Sequence, residues 1–203
     1  METEILKIAR RVQAIAQSGL HFAENDFDRQ RYAELRDLSV QLAAAITDAE
    51  VNKIRDLFTN ETGFQTPKVD IRSVVMKDGK ILLTRERSDG KYSLPGGFAD
   101  INYSPSEVAV KEVLEETGLE VSYKRVLAIV DSDRHNFPPL QYHYYKIVVL
   151  CDLLGGTMSD SIETTDAAFF DFDNLPPLSE ERNTQQFFEI IRNQLDSIQT
   201  YSD

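Results

Sequence analysis

Three carboxylates, Glu112, Glu115 and Glu116, crowd into five consecutive positions of the stretch LPGGFADINYSPSEVAVKEVLEETGL, residues 94–119. Like charges at helical spacing repel and destabilise an isolated helix. A hard divalent cation such as Mg²⁺ or Mn²⁺ prefers carboxylate oxygens and would turn that repulsion into coordination. Glycines at Gly96 and Gly97 would allow the backbone to approach the same ion closely. A solvated acidic face is the alternative that the residues alone leave open.

The elements that would position these groups are legible nearby. Ser104-Pro105-Ser106-Glu107 has the signature of a helix start: a Ser cap, Pro in the first turn and Glu three residues after the cap. Gly118 marks the stop. At about 100° per residue the three glutamates share an arc of roughly 100°. Val110, Val113, Leu114 and Thr117 take the opposite side, which is expected to pack on a sheet. Upstream, VDIRSVVM and KILLTRER flank Lys77-Asp78-Gly79, a hairpin signal. Downstream, LEVSYKRVLAIVDSD and QYHYYKIVVLCDLL are long strand candidates, AAFFDF a short one, and an amphipathic helix begins near Ser179. Strands mixed with helices in this order predict an α/β sandwich with a mixed sheet.

Residues 1–64 read as a small all-α domain ahead of a second domain, 65–203. Ile5, Ile8, Ala9, Val12, Ile15 and Ala16 recur at helical spacing up to a stop near Gly19. Tyr32, Leu35, Leu38, Leu42 and Ile46 do so in a second helix, and Thr47-Asp48-Ala49-Glu50 looks like the cap of a third, with Val51, Ile54, Leu57 and Phe58 inside.

The chain has 203 residues, a net charge of −12 and one cysteine. Cys151 cannot form an intramolecular disulfide and, within IVVLCDLL, reads as a small buried residue. No apolar run suits a membrane span and METEILKIARR does not look like a signal peptide, so the expected location is cytoplasmic. The acidic balance argues against a stable nucleic-acid complex. Residues 1–64, with eight Lys/Arg and eleven Asp/Glu, share that balance.

The spacing of the acidic stretch resembles the Nudix box, G-x5-E-x7-R-E-U-x-E-E-x-G-U, where U is a bulky aliphatic residue. Gly97, Glu112, Val113, Glu115, Glu116, Gly118 and Leu119 match in register. Tyr103 stands where the pattern has Glu, and Lys111 where it has Arg. The resemblance implies a Nudix α/β/α sandwich and metal-dependent cleavage of a pyrophosphate joining a nucleoside to a second group. It implies Glu112 and Glu116 as metal ligands and Glu115 as a third ligand or a proton acceptor. Glu163, in SIETTDAAFF, sits where the family places a base outside the box; a loop carboxylate in water is the plainer reading. The family's Arg at position 111 would hold a catalytic Glu by a forked contact. Lys cannot reproduce that geometry, though it reaches Glu115 or Glu107.

Arg85 and Arg87 alternate along one strand, with Arg72 on its neighbour, and could face a diphosphate or simply be solvated. Asp131, Arg134 and His135 are weaker substrate candidates. RVQAIAQSGL and NDFDRQRYAELRDL resemble the helical domain of a bacterial Nudix subgroup that includes CDP-choline and ADP-ribose pyrophosphatases. That domain would serve as a dimerisation or lid element of a homodimer, or merely cover the sheet. CDP-choline is slightly favoured as substrate, with ADP-ribose next, because Tyr142 and Tyr144 on one strand face, or Phe22, Phe27 and Tyr32, could attract a choline cation. A non-catalytic nucleotide-sugar sensor and a nucleoside triphosphate pyrophosphatase are the alternatives.

Overall fold

A computed structural model describes residues 2–46, 52, 54, 62–138, 140 and 142–203. The chain divides into two compact units, residues 1–67 with 139–143 and residues 68–138 with 144–203.

In the first unit, α1 (Glu2–Phe22) packs against α2 (Asp26–Ala45), whose cap Asn25 accepts a hydrogen bond from the Asp28 amide. Gly19 does not end α1. A Cβ there would lie 2.3 Å from the Tyr32 ring, so this glycine permits close helix approach instead. The apolar stripe of α1 is buried only in part. Leu6, Ala9, Ala16, Val40 and Ala43 are buried, together with Arg10, Gln13, Gln17 and Ser39, whereas Ile8 and Ile15 are 57% and 47% exposed and Phe22, Leu38 and Leu42 are exposed too. Alanines and polar side chains are buried beside Leu6 and Val40, while Ile8, Ile15, Leu38 and Leu42 face outward. The expected cap of a third helix at 47–50, with Val51, Leu57 and Phe58, lies outside the described residues; Ile54 is buried with Leu6 and Val40.

The second unit is built on a mixed sheet. Its strands are β1 (Lys68–Lys77), β2 (Lys80–Glu86), β3 (Tyr92–Ser93), β4 (Leu119–Asp131), β5 (Tyr144–Gly156), β6 (Thr164–Phe170) and β7 (Tyr201–Ser202). The order is β3-β2-β1-β5-β4-β7, with β6 paired to β2. Asp78 and Gly79 both adopt positive φ (51° and 79°), as a tight two-residue hairpin requires. β1 runs parallel to β5 from Lys68↔Tyr144 to Val75↔Cys151, but meets β2 only at Met76↔Ile81 and Lys77↔Lys80. The edge of β1 that β2 leaves open is filled by the Pro-Gly-Gly segment: Ile71 N–H donates to Gly97 O, Ser73 N–H to Pro95 O, and Ala99 N–H to Val69 O, each at 2.8 Å.

Each face of the sheet carries a helix. Val108, Ala109 and Val113 of α3 (Pro105–Thr117) pack with Ile71, Val75, Leu82, Val149 and Cys151. Phe187, Phe188 and Ile191 of α4 (Gln185–Leu195) pack with Val74, Ile81, Leu83, Leu127 and Val148. The expected α/β/α layering is therefore present. Helix α4 starts later than Ser179, with Thr184 as its cap. The Ser179 N–H is committed to Tyr92 O at 2.9 Å, beside a parallel bridge between Tyr92 and Leu178, which holds that segment extended.

Candidate active site

Helix α3 opens with a reciprocal capping box. The Ser104 hydroxyl accepts from the Glu107 amide, and Glu107 Oε2 accepts from the Ser104 amide at 2.8 Å. Gly118, in the left-handed conformation (φ 71°), closes the helix. Between these ends the glutamates are not equivalent. Leu114, expected inside, is exposed, and Glu116 is buried with 6% of its surface accessible.

Glu116 Oε1 accepts from the Gly96 N–H at 3.1 Å and Oε2 from the Thr84 hydroxyl at 3.1 Å. Burial pushes its pKa up to about 7, and the Glu112 and Glu86 charges add to that, while Arg72 and the Gly96 amide oppose it. Glu112, one turn earlier, has a side chain only 15% exposed. Burial raises its pKa above the usual carboxylate range; Lys111 opposes this, and the nearby Glu115 and Glu163 charges reinforce it. Its carboxylate would lie 3.6 Å from a Cβ on Gly97, and a Cβ on Gly96 (φ 140°) would collide with Ile71 O at 2.0 Å. Glycine at position 96 keeps the turn pressed against β1, whereas a Cβ at Gly97 would meet Glu112 only at ordinary contact distance. Glu115 lies on the outer flank, 59% exposed, with Lys111 Nζ 3.3 Å away.

Loop 161–163 comes to the same helix. Thr164 Oγ1 donates to Glu116 O at 2.7 Å, and the Glu163 and Thr164 amides both donate to Ser161 Oγ. Arg87 braces this loop: its guanidinium donates to Ser161 O at 2.8 and 3.1 Å, and its amide to Glu163 O at 2.9 Å. Arg85 donates to Gly90 O at 2.9 Å. The two arginines thus hold two different loops rather than forming a clamp. On β2 the buried polar side chains are Thr84 and Glu86.

Arg72 departs furthest from its expected place. It is buried, donates through Nε and Nη2 to the two Asp70 oxygens at 3.0 and 2.9 Å, and through Nη1 to Leu94 O at 3.2 Å. A guanidinium so engaged is not a surface cation awaiting a diphosphate. Asp70 also accepts from Lys146 Nζ at 2.5 Å. Burial alone would raise the Asp70 pKa, but Arg72 and Lys146 hold it below the usual range, whereas burial draws Lys146 down to about 8. This locked triad fixes the carbonyl just before the Pro-Gly-Gly turn.

His135 is buried against Asp203 at 2.8 Å, and Asp131 caps the short turn Ser132–Arg134 through the Asp133 amide. Tyr142 precedes β5, so it and Tyr144 do not form a stripe on one strand; Tyr144 is buried, edge-on to Phe98. Two carboxylates near the glutamates, Glu86 and Asp100, were not anticipated. Glu86 is buried and paired with Arg182 at 3.0 Å. Asp100 meets Lys111 at 3.1 Å.

The donor set suits a hard divalent cation. Glu112 and Glu116 offer only oxygen, flank a glycine turn, and have pKa values raised by burial first and by neighbouring carboxylate charge second, both of which a bound cation would relieve.

The family model described as "NUDIX domain" matches residues 65–192, and that of the "UDP-X-like, N-terminal oligomerisation domain" matches residues 3–58. The chain belongs to the Nudix family and is a Nudix hydrolase. Enzymes of this family act on nucleoside diphosphate-linked substrates and generally use a divalent metal. The chain is 44% identical over 196 residues, 95% of its length and 94% of the other's, to the Bacillus subtilis protein named "Putative ADP-ribose pyrophosphatase YjhB". Among solved structures it is similar to a UDP-X diphosphatase, with 33% identity, a TM-score of 0.65 and coverage of 100% and 99%. It is also similar to an ADP-ribose pyrophosphatase from Streptococcus suis, with 39% identity and a TM-score of 0.61 over 68% of this chain and 100% of that one. Among the described residues no helix is long and apolar enough to cross a membrane.

Proposed function

We propose that the chain hydrolyses the pyrophosphate of a nucleoside diphosphate joined to a second group, with ADP-ribose favoured and CDP-choline next. The observation that carries this reading is the Glu112/Glu116 pair on consecutive turns beside Gly96-Gly97, with Glu116 held by hydrogen bonds from the Gly96 amide and the Thr84 hydroxyl. The names of the similar proteins support the sugar conjugates. The dispersal of Tyr142 and Tyr144 weakens the aromatic argument for choline.

In this reading Glu112 and Glu116 hold Mg²⁺ or Mn²⁺. Such an ion, when bound, offsets diphosphate charge and lowers the pKa of water. The chain's own contributions are separate from that. Thr84 and the Gly96 amide aim the Glu116 oxygens, and the Arg72–Asp70–Lys146 triad holds the turn that presents that amide. Glu163, on a loop braced by Arg87, is the group proposed to take a proton from the attacking water. Glu115 is the alternative acceptor, but Lys111 engages it on the outer flank. Arg85 remains available at the surface for a phosphate.

Residues 1–64 are proposed as a dimerisation domain ahead of the hydrolase domain, 65–203. The exposed series Ile8, Ile15 and Phe22 on α1, with Leu38 and Leu42 on α2, is the apolar surface a second copy would cover.

A panel of ADP-ribose, a UDP-sugar, CDP-choline and nucleoside triphosphates, incubated with Mg²⁺ in ¹⁸O-labelled water, tests the proposal. Mass spectrometry is expected to show ADP-ribose cleaved fastest, to AMP and ribose phosphate, with label in one product. Preferred cleavage of a triphosphate to pyrophosphate would overturn it.

A further inference from the structure

The two positions at which this chain departs from the Nudix box touch each other. Lys111 Nζ lies 5.8 Å from the centroid of the Tyr103 ring. The same ammonium is 3.1 Å from Asp100 Oδ2, 3.3 Å from Glu115 Oε2 and 3.6 Å from Glu112 Oε1. Asp100 leaves the glycine turn, while Glu112 and Glu115 stand on α3, so one positive centre gathers three carboxylates from two elements. The hydrogen bonds to Asp100 and Glu115 hold Lys111 firmly in its charged form.

We propose that Lys111 is a tethered cation: its ammonium fills the outer part of the carboxylate cluster, where a further divalent ion would otherwise be held. The Glu112/Glu116 pair beside Gly96 and Gly97 is then left as the single divalent site. Geometry and residue chemistry both carry this. An ammonium is a compact point charge that can sit among several carboxylates, whereas a guanidinium is a planar fork suited to one. Two of its donors reach Asp100 and Glu115, and the Glu112 carboxylate lies within ion-pair range at 3.6 Å. The Tyr103 ring offers the ammonium a negative face where the family pattern has a carboxylate, giving attraction without another metal-binding oxygen. A divalent ion bound among Asp100, Glu112 and Glu115 would have to displace Lys111 or sit in direct repulsion with it. Glu116 escapes this competition, since its oxygens are engaged by Gly96 and Thr84 on the inner side.

The inference rests on the metal-dependent reading above, and Mn²⁺ titration separates the two. Free Mn²⁺ would be followed by electron paramagnetic resonance, and heats by calorimetry, on the full chain without nucleotide. Wild type is expected to bind one Mn²⁺ per chain. Lys111→Gln and Lys111→Met are expected to bind two, the second more weakly, and adding Asp100→Asn should weaken that second site about 10- to 100-fold. Glu116→Gln in the wild-type background should remove the first. Using two lysine variants, with helicity checked by circular dichroism, leaves a decision even if one misfolds. Two ions already bound by wild type, or one only in both folded lysine variants, would overturn the inference while leaving a metal site standing. No Mn²⁺ on any variant would overturn the metal reading, and this inference with it.

Discussion

The helical unit and the hydrolase unit both break the ordinary rule of burial, in opposite directions. In the helical unit Ile8 and Ile15 face outward while Arg10, Gln13 and Gln17 are buried. In the hydrolase unit Glu116 is buried, while Leu114, on the opposite side of the same helix, is exposed. Exposed aliphatics lack an apolar surface, and their complement is another protein face. A buried carboxylate lacks opposite charge, and its complement is a cation. The kind of violation is what motivates the two proposed roles: association for one unit, chemistry for the other.

The sharpest way to break that distinction is Glu116→Gln. If this carboxylate contributes several kcal/mol of transition-state stabilisation through the ion, kcat/KM should fall about 10³-fold or more. Steady-state kinetics at saturating Mg²⁺ checks it; a loss under tenfold would make Glu116 a mere core carboxylate.

The same residue should leave a mark on stability. Its pKa is raised from 4.5 unfolded to about 7 folded, so ionising it opposes folding of the metal-free protein. The stabilisation linked to its neutral form is complete below about pH 4.5 and is lost as pH rises through about 7, on the order of 3 kcal/mol in total. Urea unfolding in chelator should show this loss in wild type and not in Glu116→Gln, and Mg²⁺ should restore stability at pH 8.

Glu163→Gln should lower kcat about 10²-fold, within the range for a displaced general base, and flatten the acid limb of the pH–rate profile. Glu115→Gln, on the Lys111 flank, should cost less than Glu163→Gln. The reverse ranking would move the base onto the helix.

In the helical unit, Ile8→Glu should shift sedimentation from dimer toward monomer, weakening association at least about tenfold, with the metal site intact. Unchanged sedimentation would remove the exposed stripe from the interface.

What the sequence made readable follows the same divide. The Glu112/Glu115/Glu116 arc, the Ser104 cap, the Asp78-Gly79 hairpin and the layered sheet were readable because each depends on residue type at short spacing. Arg72 was misread because its partners, Asp70 and Leu94 O, meet it through burial and pairing that no local pattern records. Alternation put Arg85 and Arg87 on one face without saying what they meet; the structure adds that Thr84 and Glu86 are the buried polar side chains of that strand, beside a register shift that no local pattern records. Strands β3 and β7, two residues each, are too short to carry a period. On α1 the helical period was readable, but not which of its apolar residues are buried, because a periodic stripe looks the same whichever surface it packs against.

The most direct test is a crystal of the full chain soaked in Mn²⁺ and measured for anomalous scattering. An ion in contact with both Glu112 and Glu116, beside the Gly96-Gly97 backbone, is the predicted result. Anomalous density elsewhere on the chain, with those two carboxylates still free of any ion at saturating Mn²⁺, would contradict the account.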